Sequence, residues 1–240
     1  MGFGRTAEMV PGAAISASTQ ERVAFIRRTY LHLFGAIIAF VGLEVVLFQL
    51  SITKTLILAM AGSTMSWLAV LALFMLVGWL ADTWANRAGS PGLQYLGLGL
   101  YVVAEAILFL PLLFIGAYYS DPSVIPTAGL LTGIVFFGLT ATVFVTGKDF
   151  SFLRGMLVVS FFAALGIIIA GAIFGFHLGL LFSSIMVVLA GGYVLYVTSN
   201  VLYHYRTDQH VAAALALFAA IALLFWYILR IVIALAGGRD

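Results

Sequence analysis

Residues 127–156 read TAGLLTGIVFFGLTATVFVTGKDFSFLRGM. An apolar run of bilayer-crossing length stops at Thr146 and Gly147, passes through Lys148 and Asp149, and resumes after Arg154. In water such a run must be wrapped by polar sequence, and the rest of the chain supplies none. Of its 240 residues, 64% are hydrophobic and 8% charged, against about 25% charged in an average soluble domain. The stretch reads as one membrane span, a short hairpin and the start of the next span.

Backbone polar groups in lipid must be satisfied within the spanning element, which leaves helices or a closed barrel. Barrel strands alternate apolar and polar residues, and these runs are continuous, so the chain is an all-α membrane protein. A span needs about 20 mostly apolar residues. Seven stretches qualify: 30–50, 65–81, 93–117, 125–145, 153–174, 178–202 and 211–236. The second is the least sharp, because 56–60 is apolar too and Gly62, Ser63 and Thr64 either break the helix or lie inside a long tilted one.

The links are short, as between antiparallel helical neighbours. Lys and Arg near a span stay in the cytoplasm. Arg5, Arg22, Arg27, Arg28, Arg87, Lys148, Arg154 and Arg206 fall on one side, and Lys54, Arg230 and Arg239 on the other, eight against three. The chain then divides into a flexible cytoplasmic tail (1–28), a transmembrane domain (29–237) and a short tail (238–240) placed outside, or inside if the last run is re-entrant. The residues before Arg27 hold no apolar signal segment, so the first span serves as the insertion signal.

The net charge is only +2 and the basic residues lie in the links, so no nucleic-acid surface is expected. The absence of cysteine excludes disulfides and thiolate chemistry. There is no nucleophile with a supporting base, no phosphate loop and no HExxH, so neither an enzyme nor a cofactor is expected. His32, His177, His204 and His210 lie near span ends without metal-ligand spacing, so no metal site is expected either. His204 and His210 flank a link and read as interfacial residues, with pH sensing as the alternative.

An ionisable residue inside a span costs roughly 2.5–3.5 kcal/mol to insert, which makes each one a functional candidate. Glu105 is the deepest. Pro111, six residues on, removes the hydrogen bond to the Ile107 carbonyl and predicts a kink. Glu105 reads as a register-fixing structural group or as an ion-coupling carboxyl. Glu44 reads as a solvent-reaching or hydrogen-bonded carboxyl, with pairing to Glu105 as the alternative if their helices are neighbours. Tyr193, Tyr196, Thr198 and Asn200 read as interhelical hydrogen bonds, with a wet cavity as the alternative. Gly129 with Gly133, Gly171 with Gly175 and Gly175 with Gly179 are spaced for close helix packing, and Gly97 and Gly99 line the third span. Trp67, Trp79 and Trp84 read as interface anchors, Trp226 as packing, and Arg230 as a snorkelling side chain.

The segments FFGLTATVFVTGKDFSFLRGM (136–156), QYLGLGLYVVAEAILFLPLLFIG (94–116) and RRTYLHLFGAIIAFVGLE (27–44) closely resemble the Bax inhibitor-1 family, in its bacterial YccA-like branch. The resemblance covers nearly all of 23–232. It implies a seven-helix fold with the last helix amid the other six, in the bacterial inner (plasma) membrane. It also implies passive, pH-sensitive calcium leak or, for the YccA-like branch, binding and restraint of the membrane protease FtsH.

The resemblance breaks at one feature. Leak-type members carry an aspartate after Leu-Tyr in the sixth span and another in the last. Here those positions are Val197 and Ala220, so the proton-sharing pair is absent. Three functions stay open: a regulator or accessory partner of another membrane protein, a passive calcium or other cation leak using Glu105 and Glu44 with Tyr196 and Asn200 as further candidates, and a structural subunit of a larger membrane complex.

Overall fold

The computed structural model describes residues 13–237. Arg5, Arg239, residues 1–12 of the expected tail and the tail 238–240 lie outside the described residues. Eight α-helices follow a short helical turn at Ala14–Ser16. Helix α1 (Thr19–Gln49) starts at Ser18 through a capping box. The Glu21 amide donates to Ser18 Oγ at 3.3 Å and the Ser18 amide to the Glu21 carboxylate at 3.0 Å, so two otherwise orphaned donors are satisfied reciprocally.

The doubtful second run resolves into two helices, α2 (Ile52–Ala61) and α3 (Thr64–Ala85). Ser63 separates them, accepting from the Ser66 amide at 3.0 Å. Helix α4 (Pro91–Tyr118) has its proline in the first turn, where no N–H is needed, and it continues through Pro111 as one helix. Helices α5 (Val124–Thr146) and α6 (Leu153–Phe174) each end on a left-handed glycine, Gly147 at φ 58° and Gly175 at φ 75°, a conformation that costs glycine least. Helices α7 (Leu180–Tyr203) and α8 (His210–Gly237) complete the chain. All but α2 are long and apolar enough to cross a membrane, which makes seven.

The last helix is the axis. Two thirds of its most apolar stretch is buried, against 6% for α3 and for α6. It packs on α1, α3, α4, α5 and α7. Lipid tails are as apolar as leucine, so the hydrophobic effect does not drive helices together and close packing must. Ala212, Ala213, Ala214 and Ala220 are buried on α8 and let its neighbours approach. The surrounding order is α1, α4, α3, α6, α7 and α5, with α5 returning to α1 where Tyr30 meets Phe144 (centroids 6.2 Å). Helix α6 stands at the rim: it packs on α7 and α3 and reaches the axis through a small cluster of Ala164, Met186 and Tyr227.

The tightest helix approach is at Gly97. A Cβ there would lie 2.5 Å from the Ala81 carbonyl and 2.8 Å from the Ala85 amide. The four-apart glycines expected to do this do not: Gly129, Gly133, Gly175 and Gly179 have nothing within 4 Å of a built Cβ, and Gly171 faces Phe176 and Leu178 of its own hairpin. Spacing alone cannot tell a packed glycine face from a lipid-facing one.

The expected loose tail also differs. Residues 19–28 belong to α1, and Ala13 and Ala14 are fully buried. The Ala14 amide donates to the Tyr205 carbonyl at 2.8 Å, and Ala13 bridges Arg206. The methyl side chains are small enough to fit under the α7–α8 link.

Candidate functional site

At the end of the bundle that carries the start of α1, the 147–152 link is latched to the end of α7. Asp149 Oδ1 accepts from the Ser151 amide at 2.8 Å and from Ser199 Oγ at 2.9 Å. Its Oδ2 lies 3.1 Å from His204 Nε2. The Phe150 amide donates to Ser199 Oγ at 2.8 Å, and the Tyr203 hydroxyl donates to the Gly147 carbonyl. Burial alone would push the Asp149 carboxyl up. The bonds from Ser151 and Ser199 and the His204 ring outweigh it and hold the carboxyl below its ordinary value. The T-G-K-D-F-S motif is therefore a structural clasp: glycine for the left-handed turn, aspartate as the acceptor that fixes it.

Beside the clasp is a polar cavity of about 400 Å³ lined by Asn86, Arg154, Tyr196, Asn200, His204 and Tyr205, among others. Tyr196 and Asn200 thus line a cavity instead of making the interhelical bonds expected of them. Thr198, one of the same group, is fully buried and its hydroxyl has no partner. Burial first, then Tyr193 and Asp82, push the Tyr205 phenol above the ordinary tyrosine range, so it stays a neutral donor.

Titratable groups continue inward from the cavity. Asp82 sits at the rim, where the Asn86 amide donates to it at 3.0 Å. Tyr193 stacks on Tyr196 (centroids 6.4 Å). Tyr101 lies within electrostatic range of Asp82, Tyr193 and Glu105, the last one turn on along α4. Glu105 is 5% exposed. The sequence pointed to Glu105, Tyr196 and Asn200 but not to Asp82 and Tyr101. Asp82 looked like a link residue because its apolar run ends at Ala81. Nothing in the sequence marked Tyr101, because its hydroxyl direction depends on how α4 is rotated against α7 and α8.

Beyond Glu105 the interior closes. Phe109 meets Phe40 (5.3 Å), Phe225 (5.6 Å) and Trp226 (5.0 Å), and Phe40 also meets Phe218 (6.0 Å). This aromatic layer is dry and packed, with Phe109 at 1% exposure. Glu44 lies on its far side, 7% exposed, with neither carboxyl oxygen partnered.

Glu44 and Glu105 are not a carboxyl pair, although α1 and α4 are neighbours. His32 meets Tyr95, Phe40 meets Phe109 and Phe48 meets Tyr118. In that register Glu44 falls level with Leu113, eight residues or about 12 Å along the axis from Glu105. Among the described residues no three His, Asp or Glu side chains converge as metal ligands. Trp226 packs as expected, stacked on Trp67 (6.2 Å). At the far end Arg230 donates to the Leu178 carbonyl at 3.0 Å, so it pins the α6–α7 hairpin besides reaching outward.

Comparison with known proteins places this architecture. An uncharacterised protein of Pseudomonas aeruginosa is 37% identical over 119 residues, covering 49% of this chain and 53% of that protein. An uncharacterised membrane protein of Vibrio cholerae is 34% identical over 123 residues, with the same shares, 49% and 53%. Protein LIFEGUARD 3 of Arabidopsis thaliana is 29% identical over 151 residues, covering 59% of this chain and 58% of that protein. The chain thus spans little more than half the length of the curated relatives it matches. The family model described as "Inhibitor of apoptosis-promoting Bax1" matches residues 22–238, nearly the whole seven-span bundle, and the chain belongs to that Bax inhibitor-1 family.

Proposed function

We propose that this protein is a passive cation leak whose aqueous cavity opens to the cytoplasm, held closed here by the aromatic layer. The observation that supports the reading is the succession of titratable side chains inward from the polar cavity, Tyr193, Tyr101 and buried Glu105, with Glu44 beyond the plug. A carboxyl at each face of a dry barrier gives a permeating cation one stabilising charge on either side. Calcium is stored by six to eight oxygens, several of them carboxylate. With Glu105 lacking a second acid beside it, this path suits transit and not storage. The eight-to-three distribution of basic residues supports placing the cavity on the cytoplasmic side.

Reconstitution in calcium-dye liposomes between about pH 6 and 8 tests the reading, with Glu105→Gln alongside; the range covers histidine and shifted carboxyl titration. Flux above empty liposomes, lowered by Glu105→Gln, is expected. No flux at any pH removes the leak reading, and flux indifferent to Glu105→Gln clears that residue.

A second reading is favoured by the clasp. It presents Lys148 and the 72%-exposed Phe152 on a link held in one conformation, as a docking surface for another membrane protein would. A YccA-like regulator of a protease such as FtsH would use it. Stoichiometric co-purification of such a partner from native membrane, lost on Phe152→Ala, supports this reading; a chain that purifies alone counts against it.

A further inference from the structure

A groove of about 570 Å³ runs along the outside of the bundle between α1 and α4. Its floor and walls are Gly35, Ala36, Ala39 and Leu43 of α1 and Gly99 and Val102 of α4, among others. It is hollow because its glycines are unfilled: neither Gly35 nor Gly99 has any atom within 4 Å of a built Cβ. From Leu31 to Leu43 the helix rises about 18 Å, close to the ~15 Å depth of one leaflet's hydrocarbon.

One end of the groove is polar and basic. His32 Nδ1 donates to the Arg28 carbonyl at 2.7 Å, which leaves Nε2 to meet the Tyr95 hydroxyl at 3.0 Å. The His210 ring packs edge-on to His32 with centroids 4.9 Å apart, and Arg28 lies within electrostatic range of His210. Arg27 and Arg28 are exposed one turn before Leu31 and His32, on the same helix face. Asp208 is also near His210, but the Arg206 guanidinium takes it up at 2.5 Å, which leaves Arg27 and Arg28 with the net positive charge. Basic residues beside an apolar cleft at headgroup depth attract anionic lipid.

We propose that the α1–α4 groove is a binding site for one anionic phospholipid of the adjoining leaflet. An acyl chain lies along Gly35 and Gly99, and the phosphate meets the exposed Arg27 and Arg28. The site is independent of the cavity and of the leak reading.

The test is native mass spectrometry of the protein in neutral detergent, offered phosphatidylglycerol, phosphatidylcholine with the same chains, or the free fatty acid. Phosphatidylglycerol is expected to be retained roughly thirty-fold over phosphatidylcholine, the attraction of two surface arginines. Arg27→Gln with Arg28→Gln, both exposed and harmless to folding, should abolish that preference. Gly99→Leu, or Gly35→Leu if the first does not fold, should lower retention of both lipids. Equal retention of the two phospholipids by the unaltered protein, or of the free fatty acid, overturns the proposal. So does full retention in the groove-filling variant. Recovery of a second polypeptide in place of lipid, lost on Gly99→Leu, overturns it in favour of a helix.

Discussion

Glu44 and Glu105 lie one helical turn to either side of the ring contact between Phe40 and Phe109, which is 5.3 Å between centroids. Each is buried, and they are separated by an aromatic layer and not joined across it. A buried carboxyl is costly unless something uses it. On the proposed leak reading, the aromatic layer between them is the gate.

Phe109→Ala tests the gate. Truncating a buried phenylalanine costs about 3–5 kcal/mol of stability, and here it also opens the layer. Calcium-dye flux should rise above that of the unaltered protein at the same reconstitution density. Flux equal to or below it would mean the layer is not the barrier.

Glu44→Leu should raise stability. Both carboxyl oxygens of Glu44 are buried without a partner, and an unsatisfied buried polar group costs about 1–3 kcal/mol. A higher melting temperature in detergent, together with reduced flux, is the expected result. A lower melting temperature would show that the carboxyl is satisfied in the membrane.

Gly97→Ala should destabilise the bundle by about 1–3 kcal/mol, the usual cost of overpacking, because the new methyl meets backbone of α3 at 2.5 Å. Gly129→Ala, with open space around it, is the control and should leave the melting temperature unchanged. Equal melting temperatures for the two variants would refute the close approach.

Asp149→Ala should release the clasp. It loses acceptor bonds from Ser151 and Ser199 and the contact with His204, and bonds to a charged group contribute about 1.5–3 kcal/mol. Hydrogen exchange at the Phe150 and Ser151 amides should speed up roughly ten- to a hundredfold. The pH dependence follows from the depressed Asp149 carboxyl. Its contribution is present above the ordinary carboxylate range and disappears as pH falls through the lowered native value. Clasp protection on this account stays flat from pH 5 to 8 and fails only in stronger acid, below the ordinary carboxylate range. Loss of protection between pH 5 and 7 would assign the switch to another group.

The sequence alone determined the spans, since a run of apolar residues in lipid has no alternative to a helix. Five of the seven expected spans match the helices within about two residues at each end, the usual disagreement between boundary definitions. The second is an exception: it ends at Ala85 where 81 was expected, because Asp82 and Thr83 are polar yet still helical. The first is the larger exception, starting at Thr19 because polar residues can be helical outside lipid. The Ser18 and Glu21 capping box was readable there. What the tertiary structure decided was direction. Which glycine meets backbone, whether Glu44 reaches Glu105, whether Tyr196 and Asn200 bond or line a cavity, and where the groove lies all depend on helix rotation. In a chain apolar on every face, no hydrophobic stripe records that rotation. It is set by pairwise packing around α8, and only the folded bundle contains it.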